Sequence, residues 1–273
     1  MTHPRIAMIG AGMMGEAMIG GLIASGIPAQ QITASEPRPD RRDAMHQQYG
    51  ITMVASNREA VIGADVVVFA IKPQLTGVVF PELHGHIPAG ALVLSIMAGI
   101  TIAAIQTGLR HTAVVRAMPN TPAMIGAGIS GWTAVPEVSQ TQKMLADQVL
   151  SSFGKAVYVD DEYYINHVTA VSGSGPAYLF LILEAMIDAG VAIGLPRPLA
   201  KQLAEQNLVG SLQYALASGK HPAELRNDVT SPAGTTAAGL NAMEKAGLRT
   251  AISEGIRAAF ERSVELGKPK HSN

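Results

Sequence analysis

The stretch Ile6-Ala7-Met8-Ile9-Gly10-Ala11-Gly12-Met13-Met14-Gly15-Glu16-Ala17-Met18-Ile19 decides the fold. Its opening is a short apolar run suited to a buried strand, and its close reads as the start of a helix. Between them stands GxGxxG. Gly10 permits a tight turn, Gly12 lets backbone approach a pyrophosphate, and Gly15 lets helix pack closely on strand, while the free N–H groups of the helix start attract the anion. The spacing alone is a weak signal, because a purely structural glycine turn is spelled the same way. Strand, loop and helix in this order, with Ser35 and Glu36 about twenty residues further on, identify a dinucleotide-binding loop.

Working outward, apolar Val/Ile/Ala runs at residues 6–9, 32–35, 66–71, 92–96, 114–118 and 157–159 alternate with helix-length stretches. That order belongs to parallel strands joined by crossover helices, and strands that are apolar almost throughout are covered on both faces. After Asp160-Asp161-Glu162 the pattern changes: Leu199, Leu203, Leu208, Leu212 and Leu216 recur at helical spacing, as do Ile252, Ile256, Phe260 and Val264. The expected class is α/β, with a dinucleotide-binding parallel sheet and helices on both faces over residues 1–161, then an all-helical region over 162–273. The acidic triplet reads equally as a hinge or as a solvated turn.

Composition narrows the function. At about 150 residues per domain, 273 residues make roughly two domains. Apolar types at 48% against 15% charged exclude a disordered chain. Twenty basic against twenty-one acidic side chains leave no field for gripping nucleic acid or an acidic membrane, so any phosphate site is local. The lack of cysteine excludes disulfides, thiolate catalysis and Cys-ligated metals. His84-Gly85-His86 lacks a third acidic partner nearby and reads as solvated, so no metal is expected. Residues 87–109 are uncharged over a length that suits a bilayer of ~20 residues. Ser95, Gly99, Thr101, Gln106 and Gly108 interrupt them, and their first half reads as a buried strand with a turn at Ala98-Gly99. No membrane span is expected. Met1-Thr2-His3-Pro4-Arg5 leads into a strand rather than a signal-type block, and the reading is cytoplasmic.

Ligands of open parallel sheets lie beyond the carboxyl ends of the strands. There the chain reads Ala70-Ile71-Lys72-Pro73, Met97-Ala98-Gly99 and Met118-Pro119-Asn120-Thr121-Pro122. Lys72 is an acid, a phosphate clamp or a solvated strand end; Asn120 bonds a carboxamide or closes its own turn. At Ser35-Glu36-Pro37-Arg38, with Arg41 and Arg42 behind, the signals for the dinucleotide conflict. An acid there holds the ribose hydroxyls of NAD, whereas a small hydroxyl with arginine accommodates the phosphate of NADP. NADPH is favoured, with NADH as the alternative, on the assumption that Ser35 faces the ribose and Glu36 turns away.

Further along, Ser231-Pro232-Ala233-Gly234 is a turn feeding a helix over 235–243. Its N–H groups and hydroxyls make a carboxylate cradle, but on the residues alone an ordinary Ser/Thr cap is the commoner outcome. Ser172-Gly173-Ser174-Gly175-Pro176 is an anion nest or a helix kink, with the kink favoured.

These motifs together resemble pyrroline-5-carboxylate reductase, the NAD(P)H-dependent family that makes L-proline. The resemblance extends over nearly the whole chain and is strongest at Asp228-Val229-Thr230-Ser231-Pro232-Ala233-Gly234-Thr235-Thr236-Ala237-Ala238-Gly239-Leu240. Lys72-Pro73, Met118-Pro119-Asn120-Thr121-Pro122, Ser172-Gly173-Ser174-Gly175-Pro176-Ala177-Tyr178 and the glycine loop follow the same order. It implies a Rossmann-type domain, then a helical dimerisation domain that interlocks with a second subunit, within a larger assembly such as a pentamer of dimers. It also implies that Thr236 hydrogen-bonds the substrate ring nitrogen and that Ser231, Gly234 and Thr235 hold its carboxylate. The expected cofactor set is Gly10, Gly12, Met13, Met14, Gly15, Ser35, Arg38, Asn57, Ala70, Lys72, Pro73, Met97, Ala98, Gly99, Pro119 and Asn120. Glu36 at the ribose and Thr235 inside the signature depart from the family pattern, which bears on cofactor preference.

The rivals are fewer. A 2-hydroxy-acid dehydrogenase would carry a lysine on the first long helix of its second domain, and none occurs between Lys155 and Lys201. A reductase of another imine, or one using a deazaflavin of the F420 type, would have similar loops. A non-catalytic nucleotide binder would show a disrupted cradle, whereas Ser231, Gly234 and Thr236 are all present.

Overall fold

A computed structural model describes residues 3–268. Strands are β1 (Ile6–Ile9), β2 (Ile32–Ser35), β3 (Thr52–Val54), β4 (Val66–Phe69), β5 (Leu92–Ser95), β6 (Val114–Met118), β7 (Gly128–Ala134) and β8 (Gly154–Tyr158). Between and beside them run α1 (Met13–Ala24), α2 (Pro39–Tyr49), α3 (Asn57–Ala60), α4 (Thr76–Leu83), α5 (Ile102–Leu109) and α6 (Gln140–Ser151). Then follow α7 (Tyr164–Val168), α8 (Gly175–Ala192), α9 (Arg197–Ser218), α10 (Pro222–Asp228), α11 (Thr235–Lys245) and α12 (Leu248–Leu266).

The strands form one sheet in the order β3-β2-β1-β4-β5-β6-β7-β8, parallel except where β7 runs antiparallel to β6. Period-two geometry divides its apolar residues between two cores. Ile6 and Met8 of β1, with Val66 and Val68 of β4, pack with Met18 and Leu22 of α1. Ala7, Ile9, Val67 and Phe69 face Phe80 of α4 and Ile105 of α5 on the other side, and Phe69 meets Phe80 edge-on at 5.7 Å. Residues 87–109 cross this second core as β5, a turn and α5.

Some expected boundaries move. The 66–71 run leaves the sheet after Phe69, since Pro73 opens a 3₁₀ turn, and 92–96 ends at Ser95. β8 begins at Gly154 rather than residue 157. β3 and β7 are additions. β7 has no apolar run; its Gly131 is required because a Cβ there would come within 2.5 Å of Val168 on α7.

The chain divides into two compact units. The first extends to Ser174 and resumes at Ala259, while the second is Gly175–Ala258. This division by contacts counts the segment from the expected boundary after residue 161 up to Ser174 with the sheet, to which Glu162 of the acidic triplet is tied. Glu162 Oε1 accepts from Arg116 Nη1 at 2.7 Å and from the N–H of Ile102, the first residue of α5, at 2.8 Å. Asp161 Oδ1 accepts from the N–H of Tyr163 at 2.7 Å. The end of α12 is held as firmly: Phe260 lies against Tyr163 and His167, and Ser263 Oγ donates to Asn166 Oδ1 at 2.8 Å. The triplet is thus an anchor, not a hinge.

Residues 164–192 form one apolar helix interrupted by a π turn at Thr169–Gly173, where the N–H of Ser174 reaches back to the carbonyl of Thr169 at 2.8 Å. Ser172-Gly173-Ser174-Gly175-Pro176 is therefore a helix irregularity and not a nest. By length and composition this helix would suit a membrane span, yet little of it is buried within the chain. In the second unit α8 and α9 meet along small residues, a Cβ on Gly190 falling 3.0 Å from that of Ala200. Beyond that seam the apolar side chains stay uncovered, with Phe180 at 63% and Leu181 at 65% exposure.

Candidate active site

β1 lies between β2 and β4, so the strand order reverses there and a crevice opens at the carboxyl ends of β1 and β4. The glycine loop sits at this point. Gly10 has φ +96°, and a Cβ on it would press on Ile71 and the Ala70 carbonyl. A Cβ on Gly15 would lie 2.4 Å from the Gly10 carbonyl oxygen, so α1 approaches the loop as closely as chemistry permits. Gly12 differs: it is the N-cap of α1, makes no side-chain cap bond, and its missing Cβ would meet nothing within 4 Å. That open space before an uncapped helix start fits a pyrophosphate. Met13 is exposed beside it, and Met14 leans on the core.

The crevice wall at β2 is more tightly bonded than its sequence suggests. Ser35 ends β2 and is buried, and its hydroxyl donates to Asn57 Oδ1 at 2.7 Å. Asn57 Nδ2 in turn donates to Glu82 Oε2 at 2.7 Å. Glu36 is buried, and its Oε1 receives the Nε–H of Arg38 at 2.9 Å. Arg41 is committed to the Ala11 carbonyl at 3.0 Å and to Glu16 at 2.5 Å. Glu16 also accepts from Tyr49, whose phenol pKa is raised by burial first and then by the Glu16 charge. Glu82 and Tyr49 carry no sequence signal, because their partners stand 25 and 33 residues away.

At the other strand ends, Ala70 donates its N–H to the Ile9 carbonyl at 2.9 Å, while Lys72 is exposed and Pro73 starts the 3₁₀ turn. Met97 is buried, and Ala98 and Gly99 are half-buried. Gly99 has a second reason to be glycine, since at φ +72° its Cβ would fall 2.8 Å from Leu266. Pro119 is buried, and Asn120 Oδ1 accepts from the N–H of Ile129 at 2.9 Å, closing the turn into β7.

In the second unit, Ala233 adopts φ +56°, a left-handed conformation costly for a side chain with a Cβ. The N–H of Gly234 bonds the Ser231 carbonyl at 3.1 Å, and Gly234 is the N-cap of α11 without any side-chain cap bond. The ordinary Ser/Thr cap is thus not what forms. Ser231, Thr235 and Thr236 are exposed around an uncapped helix start, an arrangement suited to a small carboxylate.

Comparison with known proteins matches residues 162–266 to the model described as pyrroline-5-carboxylate reductase dimerisation, and 5–99 to that of NADP oxidoreductase coenzyme F420-dependent. Pyrroline-5-carboxylate reductase of Pseudomonas aeruginosa is 46% identical over 269 residues, which cover 98% of either chain. The chain belongs to the pyrroline-5-carboxylate reductases. A relative of that name from Synechocystis is 42% identical, covering 97% of this chain and 98% of its own. The solved pyrroline-5-carboxylate reductase of Coxiella burnetii superposes with TM-score 0.91 at 36% identity, covering 98% of this chain and 100% of its own. That of Plasmodium falciparum, solved with NADP bound, gives TM-score 0.89 at 29% identity and the same coverage. The helical region matches a dimerisation domain, so dimerisation runs through it.

Proposed function

We propose that the chain reduces Δ1-pyrroline-5-carboxylate to L-proline with NADPH, and less readily with NADH. The observation that carries this is the N-terminus of α11, left without a side-chain cap and ringed by exposed hydroxyls, in a member of this reductase family.

When bound, the nicotinamide supplies a hydride to the imine carbon, and the C=N π pair moves to nitrogen. The protonated imine is already a strong electrophile, so the protein's main task is to hold and orient. Gly10, Gly12, Met13, Met14 and Gly15 receive the pyrophosphate. Ser35, Arg38 and Asn57 serve the adenosine end; Ala70, Lys72, Pro73, Met97, Ala98, Gly99, Pro119 and Asn120 line the rim toward the nicotinamide. Ser231, Gly234 and Thr235 anchor the substrate carboxylate, and Thr236 hydrogen-bonds the ring nitrogen. A hydroxyl is a poor acid, so the nitrogen's proton comes from the substrate iminium or from water. We place the protein in the cytoplasm, as dimers joined through the helical domain and built into a pentamer of dimers; analytical ultracentrifugation giving only dimers would reject the larger assembly.

The test is loss of nicotinamide absorbance when the purified protein meets NADPH and Δ1-pyrroline-5-carboxylate, with NADH in parallel. Oxidation coupled to proline formation is expected, faster with NADPH. Silence with both cofactors would overturn the reading.

A further inference from the structure

Two acids and three arginines follow β2 within Glu36-Pro37-Arg38-Pro39-Asp40-Arg41-Arg42, and the fold gives the arginines different duties. Arg41 gives Nε to the Ala11 carbonyl and Nη2 to Glu16, which turns it toward the glycine loop. Arg42 Nη1 is used up on the backbone carbonyls of Glu36 and Pro37, at 2.8 and 2.9 Å. Arg38 gives only its Nε–H, to Glu36 Oε1 at 2.9 Å, and its backbone N–H meets the same oxygen at 3.3 Å. The Arg38 side chain remains 61% exposed while that of Glu36 is 8% exposed. A guanidinium pinned through Nε keeps its outer N–H groups, the fork that suits a phosphate, directed away from the pin.

Resting on the cofactor reading above, we propose that Glu36 is a positioning residue for the adenosine 2′-phosphate of NADPH. It pins Arg38 so that the guanidinium fork faces the phosphate. The same bonds withdraw the carboxylate from the ribose diol that an acid at this strand end would otherwise hold. The residue that points toward NAD in the sequence therefore works for NADP in the fold. The side-chain bond to Glu36 and then its charge raise the Arg38 pKa, and a guanidinium is cationic at physiological pH in any case.

The experiment measures, by titration calorimetry on the full-length protein, binding of 2′,5′-ADP and of 5′-ADP, the adenosine half with and without the 2′-phosphate. Wild type is expected to prefer 2′,5′-ADP by roughly tenfold or more, the scale of a charge-assisted pair. Glu36→Gln should reduce that preference by about three- to tenfold through the 2′,5′-ADP arm alone. Arg38→Ala should abolish it and, by releasing Glu36, tighten 5′-ADP; the double variant should lose that gain. A wild type indifferent to the 2′-phosphate would overturn the proposal. So would a Glu36→Gln that weakens 5′-ADP while sparing 2′,5′-ADP, or an Arg38→Ala that leaves both unchanged. These ligands do not react, so the outcome is independent of whether the protein turns over pyrroline-5-carboxylate, which tests the reading beneath.

Discussion

The two compact units treat apolar residues in opposite ways. In the first, a sheet apolar on both faces is covered by helices of the same chain, and Ile6, Met8, Val66 and Val67 are almost wholly buried. In the second, α8 and α9 share a seam of small residues and leave Phe180, Leu181, Leu212 and Leu216 exposed. The difference teaches that a doubly covered sheet completes its own core, while a pair of long helices has further faces that one chain cannot cover. The first unit completes itself around the nucleotide loop, while the second carries the uncapped start of α11 on a dimerisation domain with an apolar face left open.

The largest effect that would break this contrast is a charge on the uncovered face. Phe180→Asp or Leu181→Asp should raise the dimer dissociation constant by about a hundredfold or more, with helix content intact by circular dichroism. Light scattering that still finds a stable dimer would mean the face has another purpose. Next, Thr236→Ala should lower kcat by about ten- to a thousandfold with an unchanged melting temperature, since Thr236 is exposed. Thr236→Ser should restore part of the rate, and a wild-type rate in the alanine variant would remove Thr236 from the chemistry.

Within the first unit, two glycines of one loop sharpen the comparison. Gly15→Ala pushes a Cβ into the Gly10 carbonyl and should cost about 1–3 kcal/mol of stability, read as a lower melting temperature. Gly12→Ala enters open space and should melt normally while binding NADPH roughly tenfold more weakly. Equal behaviour of the two variants would contradict the division between packing and ligand space. The smallest effect is at Tyr49, whose raised pKa means that the folded state keeps the phenol proton longer than the unfolded state does. That contribution is complete below the ordinary value of 10.0 and is lost as the pH rises through the raised one. Tyr49→Phe should flatten the alkaline limb of a stability-against-pH curve, and an unchanged limb would assign it to other groups.

Much of the fold was legible because it is written locally. The strand, glycine loop and helix at residues 6–19 and the apolar runs of β1, β2, β4, β5 and β6 are short-range patterns, as is the Leu spacing within Arg197–Ser218. β7 was not legible: its glycines and hydroxyls answer to α7, from which Val168 reaches Gly131. The anchoring of Glu162 was not legible for a similar reason, because its partner Arg116 stands 46 residues earlier. At the candidate site the spelling of the Ser231–Gly234 turn was clear, but Ser and Thr there suggested a cap that the backbone places on Gly234 instead.

Periodicity and glycine spacing were thus enough, from the residues alone, for the α/β class, the nucleotide loop and the helical region, since each depends on neighbours within a few turns of chain. Side-chain commitments at the site came from the folded state. Ser35 and Asn57 are 22 residues apart, and Arg41 and Ala11 are 30 apart. Which hydroxyl, carboxylate or guanidinium remains available for a ligand depends on partners that only close packing of distant segments brings within hydrogen-bond reach.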